Sequence, residues 1–175
     1  METTEKIVEA YVRHIKKWAT ISNIKCSGQY EIDLLAVDPR NRRRYHIESG
    51  VSISGGFSKL TTKPYSNERL KMRTKQAEQR RTLWYFLQRK FSAPGIREKL
   101  RDYGFTEGNY SKVIVTWAAT DDAKRKARVR GIELWYFPEM IAEIADTFQN
   151  QRTYFSDDTL RTLHLYARAR KETGA

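Results

Sequence analysis

The chain has 175 residues, 31% of them charged and 39% hydrophobic, and its 33 Lys and Arg outnumber 21 Asp and Glu for a net charge of +12. The length suits one domain that buries its own core, no apolar run is long enough to span a membrane, and a lone cysteine, Cys26, excludes an internal disulfide or a cysteine zinc cluster. The acidic start METTEKIVEA lacks the signal-peptide pattern, so a cytoplasmic protein is expected, and a sequence pI near 9.9 favours a polyanion, nucleic acid before an anionic membrane surface.

In chain order, Ile7, Val8, Tyr11, Val12 and Ile15 recur at helical spacing and predict a helix over Thr4–Trp18, with Thr3 or Thr4 as its cap. Ala19–Ser27 reads as an edge strand closing at Gly28. Tyr30–Val37 alternates, with Glu31, Asp33, Leu35 and Val37 on one face. Asp38-Pro39-Arg40-Asn41 is turn chemistry, and Tyr45–Ile53 alternates again with His46, Glu48, Gly50 and Ser52 on one side. Ser54-Gly55-Gly56 ends this unit and lacks the lysine and spacing of a phosphate loop. Asn67–Phe91 reads as one long helix and Ile96–Tyr103 as a short one. Lys112–Ala118 has the continuous apolar character of a strand buried on both faces. A basic helix over Asp121–Arg130, a strand over Ile132–Phe137, a helix opened by Pro138 and running to Phe148, and a final helix over Thr159–Lys171 complete an α/β pattern with a mixed central sheet.

The hairpin between Tyr30 and Ile53 carries the chemistry. Asp33 and Glu48 sit on adjacent strands where their side chains can converge. Two such carboxylates repel unless a cation lies between them, and a hard divalent ion with few protein ligands is suited to that place. Basic side chains crowd two segments that could hold a phosphate backbone: Arg69, Lys71, Arg73, Lys75, Arg80 and Arg81 on the long helix, and Arg40, Arg42, Arg43 and Arg44 at the hairpin turn. His14, His46 and His164 lack metal spacing, although His46 shares a strand face with Glu48. Trp84, Trp117 and Trp135 fall in apolar runs and are expected in the core.

These features together resemble the PD-(D/E)XK nuclease superfamily, in particular its Mrr-like and Holliday-junction-resolvase-like members. Asp33, at the end of "GQYEID", matches the first acid, and Glu48, in "HIESGVSI", matches the second. Glu5 resembles the further acid that many members carry on the first helix, and "KVIVTWAATDDAKRKARVRGIELWYFPEM" (Lys112 to Met140) resembles their closing strand-helix-strand unit. The resemblance implies a restriction-endonuclease-like mixed sheet flanked by helices over residues 1–150, with 151–175 as a helical extension packed on it. It implies a metal-dependent DNA endonuclease in which Asp33, Glu48 and the Ser49 carbonyl hold Mg2+ or Mn2+ and Glu5 assists. It is compatible with RNA as the partner and with a homodimer that cuts both strands. Gln76 and Gln79 resemble the helical glutamine of RecB-like nucleases.

The departure is Gly50, which stands where the motif has its lysine. A transition state needs charge at a point in space rather than at a sequence position, so another cation could serve: Lys75 or Lys71 from the long helix, or Lys59 or Lys63 from the loop before it. The alternative is a non-catalytic nucleic-acid-binding protein on the same scaffold.

Overall fold

Three hydrophobic strands in succession set the frame. The computed structural model describes residues 3–52, 58–152 and 155–173. In it β1 (Ala19–Cys26), β2 (Tyr30–Val37) and β3 (Arg44–Gly50) form an antiparallel meander. Two short strands, β4 (Lys59–Leu60) and β6 (Ala118–Ala119), pair with each other in a separate parallel ribbon. Between and after them, β5 (Tyr110–Thr116) joins β3 in parallel and β7 (Ile132–Tyr136) joins β5. The result is a mixed five-stranded sheet in the order β1-β2-β3-β5-β7, with helices on both faces. The order of elements and the edge position of β1 agree with the sequence pattern.

Alternation along the strands divides the core. Leu34, Ala36, Tyr45, Ile47, Val113 and Val115 face one helical layer. That layer comprises α1 (Thr3–Ala10), which continues into a π-helical turn at Tyr11–Ile15, and the later helices α7 (Phe137–Phe148) and α8 (Asp158–Thr173). Ala167 and the half-buried Leu160 and Leu163 seat α8 on this core. The opposite face buries Ile32, Leu35, Ile114 and Ile132. It packs under α5 (Pro94–Asp102), which Pro94 opens, under α6 (Asp121–Val129), and under the segment that precedes α5.

That preceding segment corrects the expected long helix over Asn67–Phe91. It forms α2 (Asn67–Lys71), α3 (Gln76–Gln79) and α4 (Leu83–Tyr85), the last running into a π-helical turn at Phe86–Phe91. The chain leaves helical geometry at Met72 and again at Thr82. At Thr82 it is extended because it bridges Thr61: Thr61 N–H donates to the Arg81 carbonyl (2.9 Å) and Leu83 N–H to the Thr61 carbonyl (2.8 Å). The Thr82 hydroxyl then caps the next helix by accepting from Tyr85 N–H. The π turn has a packing cause. Residues five apart lie about 140° apart around an α-helix, whereas an i→i+5 turn brings them to the same side; Phe86 and Phe91 both enter one core cluster.

Two further expectations need correction. Trp117 does not enter the core: β5 ends at Thr116, and the indole is 36% exposed. The strand expected over Tyr45–Ile53 stops at Gly50, where Arg81 Nη2 donates to the Val51 carbonyl and so occupies the next ladder position. Ile53 and Ser54-Gly55-Gly56 lie outside the described residues. Among the described residues, no helix is long and apolar enough to cross a membrane.

Candidate active site

The β2–β3 ladder runs from Val37↔Arg44 to Leu34↔Ile47 and then ends. One step further, carboxylates take the place of main-chain acceptors. Asp33 N–H points to Glu48 Oε1 at 3.4 Å, and Ser49 N–H donates to Asp33 Oδ2 at 2.8 Å. The strands thus part just where the two acids stand, and a cation fills the gap. Lys90, in the π turn, places Nζ 2.7 Å from Asp33 Oδ1, 2.6 Å from Glu48 Oε2 and 3.0 Å from the Glu31 carbonyl. Three N–H donors meet three acceptors, which is all an ammonium can use.

Burial governs the electrostatics. Glu48 is fully buried and Asp33 is 9% exposed. Loss of solvent is the largest influence on both carboxyls and lifts each to about 7, against the pull of Lys90. Burial works against the Lys90 charge as well, but Glu48 and Asp33 outweigh it and hold its pKa above the ordinary lysine value. His46, also fully buried, is pushed down to about 3, first by burial and then by the Lys90 charge. It is therefore neutral, and its 2.6 Å contact with Glu48 Oε1 is a hydrogen bond from Nε2–H rather than an ion pair. Phe91 packs edge-on against the imidazole at 4.9 Å and fixes its plane.

A cleft of about 340 Å³ opens over this group. Asp33, Ser49 and Lys90 line its floor, Glu5 lines it from α1, and Arg80, Arg81 and Arg89 line it from the segment after α3. Arg89 stacks 4.5 Å over the Tyr30 ring and donates to the Tyr30 hydroxyl, so its guanidinium is held in place.

The expected residues separate clearly. Asp33, Glu48 and Ser49 come together and Glu5 lines the same cleft; Lys75 does not join them. It sits exposed before α3, 3.9 Å from Glu78. Lys63 pairs with the same glutamate at 2.8 Å, and neither Lys71 nor Lys59 lines the cleft. Arg69, Lys71 and Arg73 are exposed on and just after α2, beside Leu70, which does line it. Arg43 and Arg44 stand at the far end of the hairpin, four or more residues along the strand from Glu48, and do not line it either. Gln79 is buried in a structural role: its Oε1 accepts from Ser66 N–H and its amide reaches the Pro64 carbonyl.

Gly50 has its own steric reason. A Cβ there would fall on the Phe86 ring, closer than real Cβ atoms approach one another, with Arg81 Nη1 at 3.4 Å. The glycine admits the ring, and the turn that delivers the ring also delivers Lys90. Sequence reasoning missed Lys90 because the long-helix reading drew attention to its basic first half. The available signal was a lysine inside the apolar run LWYFLQRKF just before Pro94.

Among the described residues, no three His, Cys, Asp or Glu side chains gather in a group that could hold a metal. The acid pair is thus the whole side-chain donor set at this point, and both groups are hard oxygen donors. Two ionised carboxylates also exceed the single charge of Lys90, which leaves net negative charge that would favour a further cation.

No protein-family model matches the chain, and no curated protein matches it. The crystal structure of a protein of unknown function, AF1548, aligns with 99% of this chain and 100% of its own at 14% identity, with a TM-score of 0.46.

Proposed function

We propose that the chain is a metal-dependent DNA endonuclease of the PD-(D/E)XK type, with Lys90 supplying the cation that the motif normally carries at position 50. The observation that carries this reading is the convergence of one buried lysine on both acids at 2.7 and 2.6 Å. Asp33 and Glu48, with the Ser49 carbonyl, would hold Mg2+ or Mn2+, and Glu5 would assist from the cleft wall. A bound ion would supply Lewis-acid polarisation of the scissile phosphate and of an attacking water.

The protein's own groups do the remaining work. Neutral His46 and the Asp33 amide orient Glu48 from behind. Lys90 offsets carboxylate charge and stands where negative charge on the phosphate would grow. Arg80, Arg81 and Arg89, with the exposed Arg69, Lys71, Arg73 and Lys75 nearby, supply the electrostatic hold on the strand.

The test is cleavage of supercoiled, linear and branched DNA, and of RNA, with Mg2+ or Mn2+, comparing the native chain with Asp33→Asn and Lys90→Met. Metal-dependent cutting that both substitutions abolish supports the proposal. Retention of nucleic acid without cutting by any of the three points instead to a binding scaffold. Nicks that precede full breaks would indicate single copies acting one strand at a time, and simultaneous breaks a homodimer.

A further inference from the structure

The face of the sheet opposite the cleft carries a second cavity, of about 470 Å³. Tyr45 and Glu48 alternate on β3, so the two sites are separated by the sheet itself. Among the aromatic residues that line this cavity, Tyr11, Trp18, Tyr45 and Trp135 form one cluster. Trp18 stacks on Tyr45 at 4.2 Å, and Trp135 stands tilted or edge-on to the others at 6.0 to 6.5 Å. The Trp18 Nε1–H is shielded from solvent and has no acceptor among the described residues.

Carboxylates complete the wall. Glu133, Glu139 and Glu143 all line the cavity in a chain of net charge +12. None of the three lies within ion-pairing distance of a described Lys or Arg; Glu143 accepts from the Tyr11 hydroxyl at 2.7 Å. Two cationic side chains also line it. Arg40 is already paired with Asp38, and Lys16 places Nζ 5.1 Å from the centre of the Tyr11 ring. The protein's own ammonium thus occupies one aromatic face of the site. Ring faces attract such cations through their quadrupole, most strongly when the cation has already shed water, as an alkylated ammonium has.

We infer that this cavity is a binding site for an alkylated ammonium, the chemistry shared by choline-like small molecules and methylated lysine side chains. Lys16 is its internal competitor, and Glu143 and its neighbours supply the complementary charge.

The experiment is a titration of the full chain followed by tryptophan fluorescence and calorimetry. The probes are choline, its uncharged carbon isostere 3,3-dimethylbutan-1-ol, and a short peptide carrying trimethyllysine or plain lysine. Choline or the trimethyllysine peptide should bind at least about tenfold more tightly than its uncharged or unmethylated counterpart. Which of the two binds distinguishes a free metabolite from a protein tail. Lys16→Met should tighten binding and Glu143→Gln should weaken it, and neither substitution removes a buried side chain. Equal binding of the isostere, no binding of any cation, or affinities unmoved by both substitutions would overturn the inference. None of these outcomes bears on the nuclease reading, which concerns the other face.

Discussion

Lys90 bridges two carboxyls that have almost no solvent, so its removal is a stability event in its own right. Lys90→Met should cost about 3–5 kcal/mol in urea denaturation at pH 8, because it strands buried charge, and less at pH 6, where the acids can take up protons. The native protein has a related pH dependence. Folding raises the Asp33 and Glu48 values from ordinary carboxylate values to about 7. Their protonated forms therefore favour the folded state, and that contribution is lost as pH rises through 7. His46 acts in the opposite sense but at lower pH, since its depressed value matters mainly below the ordinary histidine pKa of 6.5. Two raised carboxyls outweigh one lowered imidazole, so stability should fall as pH rises from about 4.5 to about 7.5, with a shallower slope in Asp33→Asn, as measured by thermal unfolding across that range. At this scale the acids were legible because strand alternation places them in register. The lysine was not, since its contacts depend on a turn that brings together residues 57 and 42 positions apart in sequence from Asp33 and Glu48.

At the scale of elements, the broken helix between residues 67 and 91 explains how a basic segment and a buried lysine share one stretch of chain. Helical periodicity is continuous through it in sequence, yet the chain leaves helical geometry at Met72 and again at Thr82, where the tertiary bridge to Thr61 interrupts it. Thr82→Ala removes the hydroxyl that accepts from Tyr85 N–H and donates to the Gln79 carbonyl. The expected loss is about 0.5–2 kcal/mol, read by chemical denaturation, together with weaker cleavage because α4 carries Lys90's turn. Val could restore the shape but not the cap, and should not rescue. β1, β2 and β7, by contrast, were legible nearly to the residue because turn chemistry bounds them, whereas β3 and β5 were read two or three residues too far and the two-residue β4 and β6 not at all.

For the whole molecule, a charge of +12 says that a polyanion is favoured but not where it lies. The sequence offers two arginine-rich places, the hairpin turn and the segment near the cleft, and local pattern cannot rank them. The fold does so, because the turn sits at the far end of β2 and β3 from the acids. DNA affinity measured against salt concentration should therefore lose about one unit of slope in Arg89→Ala or Arg80→Ala, while Arg43→Ala with Arg44→Ala leaves cutting intact.

Gly50, Phe86 and Lys90 form a linked set, since the ring occupies the space a side chain at 50 would need and its turn brings the lysine. Gly50→Ala alone should lose about 1–3 kcal/mol through overpacking, and Gly50→Lys should fail to raise activity. The same linkage sets a rule for descent. Among homologues the three positions should change in concert: lysine at 50 with a small residue at 86 and no need of lysine at 90, or glycine, ring and lysine together. Lineages caught between those two combinations would lack room or charge, so the exchange of one lysine for the other should appear in an evolutionary tree as a single joint step.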